Sequence, residues 1–472
     1  MSFRIFDDSL TSLLITHKGG RVHSSLTQLD KTRYQRLLSH ACQANDFVFL
    51  GSQGDDGDRG HRHGFTALAL SLVEQPAHRS PIDTRQLAEQ MEALRQRYPL
   101  PNDLPKAPLT GGWLGVLGYE FGYRREKRLV GITPDCPFPV IHAGFYLWMA
   151  SHDRASGEYW LWVHPQCPGD TRETLDDWLG AAALAQPEPW HMPSPFKPAQ
   201  TPEAFRASVS AIKDYILAGD CYQANLSQAF TGTYTGDPWC AFQALSQENP
   251  TPYSAFLRMG RQSVVSVSPE RFQAISDNTV VTSPIKGTRP RGRTPEEDRR
   301  LAEELQASEK DRAENLMIVD LLRNDLGLNA ETGSVRVDRL FALESFKNVH
   351  HLVSHIRCSL KAGVSPLQAL FDAFPGGSIT GAPKIRAMEI IRELEPHWRG
   401  PYCGSVFHYG LDGHLDSSIA IRTLLCDDNG TVHCWGGGGI VTDSDPEAEY
   451  QETLAKVQPL MRFLETPSST RK

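Results

Sequence analysis

Between Gln186 and Gln200 the chain reads QPEPWHMPSPFKPAQ, and its five prolines restrict the fold more than any other stretch. Each proline lacks an amide donor and clashes with a preceding helical turn, so no helix crosses this segment. A linker is expected there, dividing an amino-terminal region (1–185) from a carboxy-terminal region (201–465) and a short tail (466–472). Upstream, short apolar runs at Phe47–Leu50, Phe65–Leu72, Phe145–Ala150 and Tyr159–Val163 alternate with Gly- and Asp-rich turns such as Gly51–Gly60, a pattern of strands and hairpins. Downstream, Thr201, Pro202 and Glu203 read as a capped helix start, followed by helical apolar spacing from Phe205 to Leu217. Strands at Ser263–Val267 and Thr279–Thr282 then alternate with helices expected at Pro295–Leu326, Pro383–Leu394 and Pro446–Leu464, the last behind a Ser444/Asp445 cap. The helix and strand signals do not alternate as a doubly wound sheet requires, so the class is α+β.

Composition narrows the function. The 472 residues are 40% hydrophobic and 22% charged, ordinary for a globular protein with a large core. A net charge of −8 gives no long-range attraction to nucleic acid or anionic lipid, so an anionic substrate needs a locally positive pocket or a metal. The nine cysteines are scattered without a C-x-x-C pair, which favours reduced thiols over zinc or a redox couple. Met1–Leu14 has no secretion-signal pattern, and no long uncharged apolar run occurs, so a cytoplasmic location is expected.

Several clusters can carry chemistry. Asp311 with Glu314, and Glu449 with Glu452, are each spaced i,i+3, which puts two carboxylates on one helix face. Facing helices so equipped can share one hard cation such as Mg²⁺, although a solvated face is the commoner outcome of such spacing. Lys286 lies in SPIKGT, between a proline and a glycine that fix the backbone, which suits either a residue presented into a cavity or a surface turn. A nucleophilic lysine must offer a neutral amine, and lowering an ordinary lysine from about 10.4 to near 7 takes about 4 kcal/mol of desolvation or neighbouring positive charge. The run Gly436–Gly439 is unsuited to an ordinary strand interior, and bare N–H groups aimed at a carboxylate would explain it, as would a flexible turn. PGGSITGAPK (375–384) opens a helix, but Ala382-Pro383 stands where a phosphate loop needs Gly-Lys-Ser/Thr. His351 and His355 would share a helical face, yet no glutamate follows His351, so a metalloprotease is excluded. Cys403 lacks the glycine setting of a glutaminase nucleophile and reads as a small packed residue.

These segments together resemble the chorismate-utilising enzymes, which include anthranilate, isochorismate, salicylate and aminodeoxychorismate synthases. The resemblance spans nearly the whole chain. It rests on GGWLG (111–115) and GYE (118–120), then GDCYQANLSQ (219–228), NPTPYSAFL (249–257), SPERF (268–272), PIKGTRPRG, AENLMIVDLLRNDLG, PGGSITGAPK and GGGGIVTDSDPEAEYQE. It implies an α+β sandwich of two large β-sheets flanked by helices, built by both halves, with the proline segment as a crossing. Relatives that add water to chorismate carry a lysine where this chain has Gln223, and anthranilate synthases carry alanine where Lys286 stands. The lysine form resembles the aminodeoxychorismate branch.

That resemblance implies roles residue by residue. The Lys286 amine attacks ring carbon 2 of chorismate, Glu270 acts as the general acid at the departing 4-hydroxyl, and Gln223 sits at the position of the hydrating base. Glu314 and Glu452 bind Mg²⁺ directly, with Asp311 and Glu449 nearby. Tyr402, Arg422, Lys456 and the backbone at Gly437 and Gly438 grip the enolpyruvyl carboxylate, for which arginine has bidentate geometry. Thr288, His351, Thr380 and Gly381 line the ring side. Ammonia would come from a separate glutamine amidotransferase subunit, and the product would serve para-aminobenzoate and folate synthesis. The competing readings are an anthranilate synthase of the same fold and a non-catalytic binding subunit; the latter has no use for a general acid.

Overall fold

The structure is a computed structural model describing residues 25–51, 62–100, 109–345 and 349–466. The expected turn beyond Gly51, the amino end Met1–Leu14 and the tail from residue 467 lie outside the described residues.

Two antiparallel sheets, of 12 and 10 strands among the described residues, carry the fold. The first runs from Ser25–Leu29 through Glu158–Val163, Trp148–Asp153, Arg62–Thr66 and Val48–Gly51. It continues through Tyr253–Met259, Gln262–Ser268, Thr423–Cys426, Thr431–Ile440 and Gln223–Thr235 to Gly381–Ala382. The second runs Ile285–Pro290, Val349–Ser359, Thr279–Thr282, Arg271–Ser276, Leu415–Ser418, Ser405–Gly410, Gly112–Leu117, Ile141–Tyr146 and Ser71–Gln75. Each sheet is therefore sewn together from both halves of the chain. The seams are Val48–Gly51 on Tyr253–Met259 and Gly112–Leu117 on Ser405–Gly410. Side chains of both sheets, Phe256 and Val264 from one and Phe145 and Phe407 from the other, enter one continuous core. A smaller apolar cluster seals the helices Pro202–Leu217 and Lys384–Leu394 onto Ala224, Leu226 and Ile440.

The segment expected as a linker is corrected by this topology: His191–Pro198 is a strand paired with Gln223–Thr235. It occupies a position where prolines are tolerated, because register shifts interrupt the pairing between Lys197 and His191 and excuse the missing donors of Pro193 and Pro195. The amino-terminal region also holds helices that apolar runs did not announce, Lys31–Ala41, Thr84–Gln96 and Gly169–Gly180. The runs Phe65–Leu72 and Phe145–Ala150 each divide between two strands. The single helix expected over Pro295–Leu326 is two, Pro295–Ala307 and Glu309–Gly327. Ser308 divides them, ending the first and accepting the Asp311 N–H to cap the second. The stretch holding His351 and His355 is strand, not helix. The helices at Pro202–Leu217, Lys384–Leu394 and Pro446–Glu465 lie where the sequence puts them.

The four glycines 436–439 are strand interior after all, paired with Gln228 through Asn225. Close approach is what requires them. A Cβ on Gly436 would lie 2.7 Å from Val457, on Gly437 2.5 Å from the Leu226 carbonyl and on Gly439 2.4 Å from the Gln223 amide. Neighbours press on this strand from both sides, so a sheet ladder and bare glycine coexist. No described helix is long and apolar enough to cross a membrane, and all nine cysteines are free.

Candidate active site

Lys286 is the second residue of Ile285–Pro290, and its aim is set by a bulge. Lys286 pairs with Leu352 but Thr288 with His351, so Gly287 is an extra residue on its strand. Gly287 has φ 79°, and a Cβ there would meet Leu305 at 2.8 Å and Asp311 at 2.9 Å. Only glycine satisfies both conditions. The half-buried Lys286 is thereby turned toward carboxylates, and its charge acts on Glu270, Glu314 and Glu452.

Glu270 is buried just after Gln262–Ser268; its N–H bonds Ser268 Oγ at 3.2 Å and its carbonyl accepts from Ile419 N–H at 3.0 Å. Burial pushes its carboxyl up to about 7, against the opposing pull of Lys286, a Ser378 hydrogen bond and Lys456. An acid so placed is substantially protonated near neutrality, as a general acid must be.

The expected metal carboxylates come from two helices. Asp311 and Glu314 sit in the first turns of Glu309–Gly327, Glu449 and Glu452 near the start of Pro446–Glu465. Burial, reinforced by Asp311 and Glu452, raises Glu314; burial also raises Glu449, whose carboxylate accepts from Ser444 Oγ at 2.7 Å. Glu452 feels the same burial, yet its pKa is lowered because Lys456 lies 2.8 Å away, with Lys310 and Lys286 adding to the effect. Asp311 is engaged at 3.4 Å by Arg289. Among the described residues no three His, Cys, Asp or Glu side chains form a preassembled cation cage. The set is nonetheless hard oxygen donors repelling one another and held by lysines, a chemistry that suits Mg²⁺, which takes few protein carboxylates and keeps several waters.

The residues expected around the anion come from several elements: Arg422 precedes a first-sheet strand, Lys456 is on the helix Pro446–Glu465, Tyr402 precedes Ser405–Gly410, and Thr288 and His351 are on second-sheet strands. Arg422, at φ 52°, enters Thr423–Cys426; its guanidinium makes no hydrogen bond or ion pair among the described residues, and burial lowers its pKa. A cation so placed calls for an anionic partner. Lys456 donates to the Gly437 carbonyl at 3.1 Å, and a Cβ built on Gly438 would be in ordinary contact with Glu449 and Lys456 at 3.5 Å and Glu452 at 3.8 Å. Tyr402 is buried and stacked on Trp435, rings 6.2 Å apart and 10° from parallel. His351, next to Thr288 Oγ1 at 2.9 Å, is lowered to about 4 by burial, with Arg422 contributing, so it is neutral at pH 7. Gln223 reaches over Gly439; Thr380 is buried, and Gly381, at φ 144°, pairs with Ala224. Sequence reasoning missed Lys310, four residues before Glu314 on one face, and Ser378, which bonds Glu270 from inside the PGGSITGAPK loop. A separate cavity of about 420 Å³ between the sheets, lined by Tyr253, Arg271, Phe407 and Asp416, contains none of the expected site residues.

The profile of the chorismate binding enzyme family matches residues 48–462. Aminodeoxychorismate synthase component 1 of Escherichia coli K12 is 45% identical over 76% of this chain and 78% of its own length. That of Klebsiella aerogenes is 43% identical over 82% and 84%. Anthranilate synthase component 1 of Pseudomonas putida is 37% identical over 92% of each. Among solved structures, anthranilate synthase component I of Streptococcus pneumoniae superposes with a TM-score of 0.72 at 29% identity, covering 86% of this chain and 93% of that one.

Proposed function

The chain belongs to the chorismate-binding enzyme family, and from that premise we propose that it is an aminodeoxychorismate synthase component 1, joining ammonia to chorismate to give 4-amino-4-deoxychorismate. The observation that carries this reading is the pairing of a buried acid, Glu270 at about 7, with the Lys286 amine whose charge it feels. In its neutral form the Lys286 nitrogen bonds ring carbon 2, the two ring double bonds shift, and the carbon 4–oxygen bond breaks as Glu270 gives its proton to the hydroxyl, which leaves as water. The proton released from the lysine nitrogen restores Glu270. Ammonia then bonds carbon 4, the double bonds shift back, and the carbon 2–nitrogen bond breaks; one proton passes from the incoming nitrogen to the departing lysine. The enolpyruvyl group is retained throughout, held by Arg422, Tyr402 and Lys456.

Magnesium, when bound, would neutralise the ring carboxylate, with Glu314 and Glu452 as direct ligands and Glu449 and Asp311 behind water. The relatives are named as component 1 of their enzymes, which supports a second subunit delivering ammonia; a glutamine amidotransferase fits that task. The test is to incubate the purified chain with chorismate, Mg²⁺ and ammonium. The expected product is aminodeoxychorismate without pyruvate release. Strong anthranilate fluorescence with no added lyase would assign the chain to anthranilate synthesis instead.

A further inference from the structure

The proposed reaction needs a place to hold neutral ammonia, and none of the residues assigned above has that task. Along the Gln223–Thr235 strand, Ala224 and Leu226 face the helices, so Gln223 and Asn225 point the other way. Asn225 is 6% exposed, its Oδ1 is buried, and its carboxamide makes no hydrogen bond among the described residues. Its backbone is tightly held: the N–H donates to Thr380 O at 2.7 Å and the carbonyl accepts from Arg399 Nη2 at 2.6 Å. Its cross-strand partner is Gly439, which offers no side chain on that flank and has the Gln223 amide lying over it. A buried polar group left unpaired in this way costs about 1–3 kcal/mol, a cost that a bound partner removes.

The position of that amide identifies the partner. Thr380 stands two residues from Ser378, which bonds Glu270, the acid assigned to the 4-hydroxyl. The backbone of Asn225 thus adjoins the loop that carries Ser378 and, through it, Glu270. A carboxylate there would favour ammonium, which has no lone pair to give; a neutral carboxamide oxygen accepts an N–H while favouring the charged form far less than a carboxylate does. We propose that Asn225 is the group that positions neutral ammonia for attack on carbon 4. This rests on the aminodeoxychorismate reading. In the step, the ammonia lone pair forms the carbon–nitrogen bond, the electrons of the carbon 2–lysine bond return to Lys286, and one N–H hydrogen held toward Asn225 Oδ1 fixes the angle of approach.

The experiment compares wild type, Asn225→Ala and Asn225→Ser, with ammonium as nitrogen donor. Two quantities are read, the KM for ammonium and the rate at which chorismate alone adds to Lys286, followed by intact mass. The expected result is an ammonium KM raised about tenfold or more in Asn225→Ala, the worth of one hydrogen bond, and partly recovered in Asn225→Ser, which keeps an acceptor. The rate of lysine addition should stay within about twofold, because ammonia is absent from that step. An unmoved ammonium KM overturns the proposal, as does an equal fall of lysine addition in both variants, which marks a structural role. If wild type itself forms neither the adduct nor the aminated product, the functional reading fails first and the role of Asn225 with it. If wild type does both and only the ammonium KM fails to respond, the role of Asn225 alone is wrong.

Discussion

Glu270 shows at the scale of one residue how burial makes chemistry. Its carboxyl lies near 7 because desolvation outweighs three favourable partners. In the proposed reaction the proton it holds must be present for the 4-hydroxyl to leave, so kcat/KM should fall as pH rises through about 7, following loss of the acid form. Glu270→Gln should lower kcat by about 10²–10⁴-fold while chorismate binding is kept, as measured by ammonia-driven turnover and equilibrium titration. A variant with wild-type kcat and an unchanged alkaline limb would remove Glu270 from that role. Glu270, Lys286 and Arg422 were proposed from sequence because the family resemblance reads the runs SPERF, SPIKGT and SSIAIRT that hold them. Sequence could not reveal Asn225, whose meaning lies in an unpaired amide, or Lys310, whose meaning lies in the carboxylates that face it across helices.

At the scale of elements, the lysine strand works because of one glycine. Gly287 takes a left-handed φ and has no room for a Cβ, so Gly287→Ala must strain the backbone or push Leu305 and Asp311 aside. The cost should be about 1–3 kcal/mol, read as a lower midpoint of thermal or urea unfolding. Turnover should fall further than stability accounts for, because the bulge aims Lys286. An alanine variant with unchanged midpoint and turnover would contradict the bulge as the aiming device. Helices with proline near their first turn were legible, since Pro202, Pro383 and Pro446 mark their starts. The helices Lys31–Ala41 and Thr84–Gln96 were not, although Asp30 and Asp83 cap them, because turn residues crowd the neighbouring sequence and mask the apolar period. The break at Ser308 was hidden by helical spacing that continues on both sides of it.

The whole molecule is set by two sheets that each draw on both halves of the chain. Residues 201–472 alone would bare the edges of Tyr253–Met259 and Ser405–Gly410, and open strand edges recruit other chains. That fragment should aggregate on size-exclusion chromatography, where the full chain elutes as a defined species; a monomeric fragment that melts cooperatively would contradict the shared-sheet account. The proline segment could not announce this from sequence, because prolines exclude helix yet leave an irregular paired strand open. The sandwich itself was reached by resemblance rather than by periodicity, since pairing between distant strands leaves no local signal.

The central claim is that the Lys286 nitrogen bonds the substrate ring. The most direct measurement is peptide mass spectrometry after incubating the chain with chorismate and Mg²⁺ in the absence of ammonia. The account predicts a mass increase equal to chorismate less one water, confined to the peptide containing Lys286, lost on adding ammonium and absent in Lys286→Ala. An unmodified Lys286, together with a Lys286→Ala variant that still aminates chorismate at the wild-type rate, would contradict it.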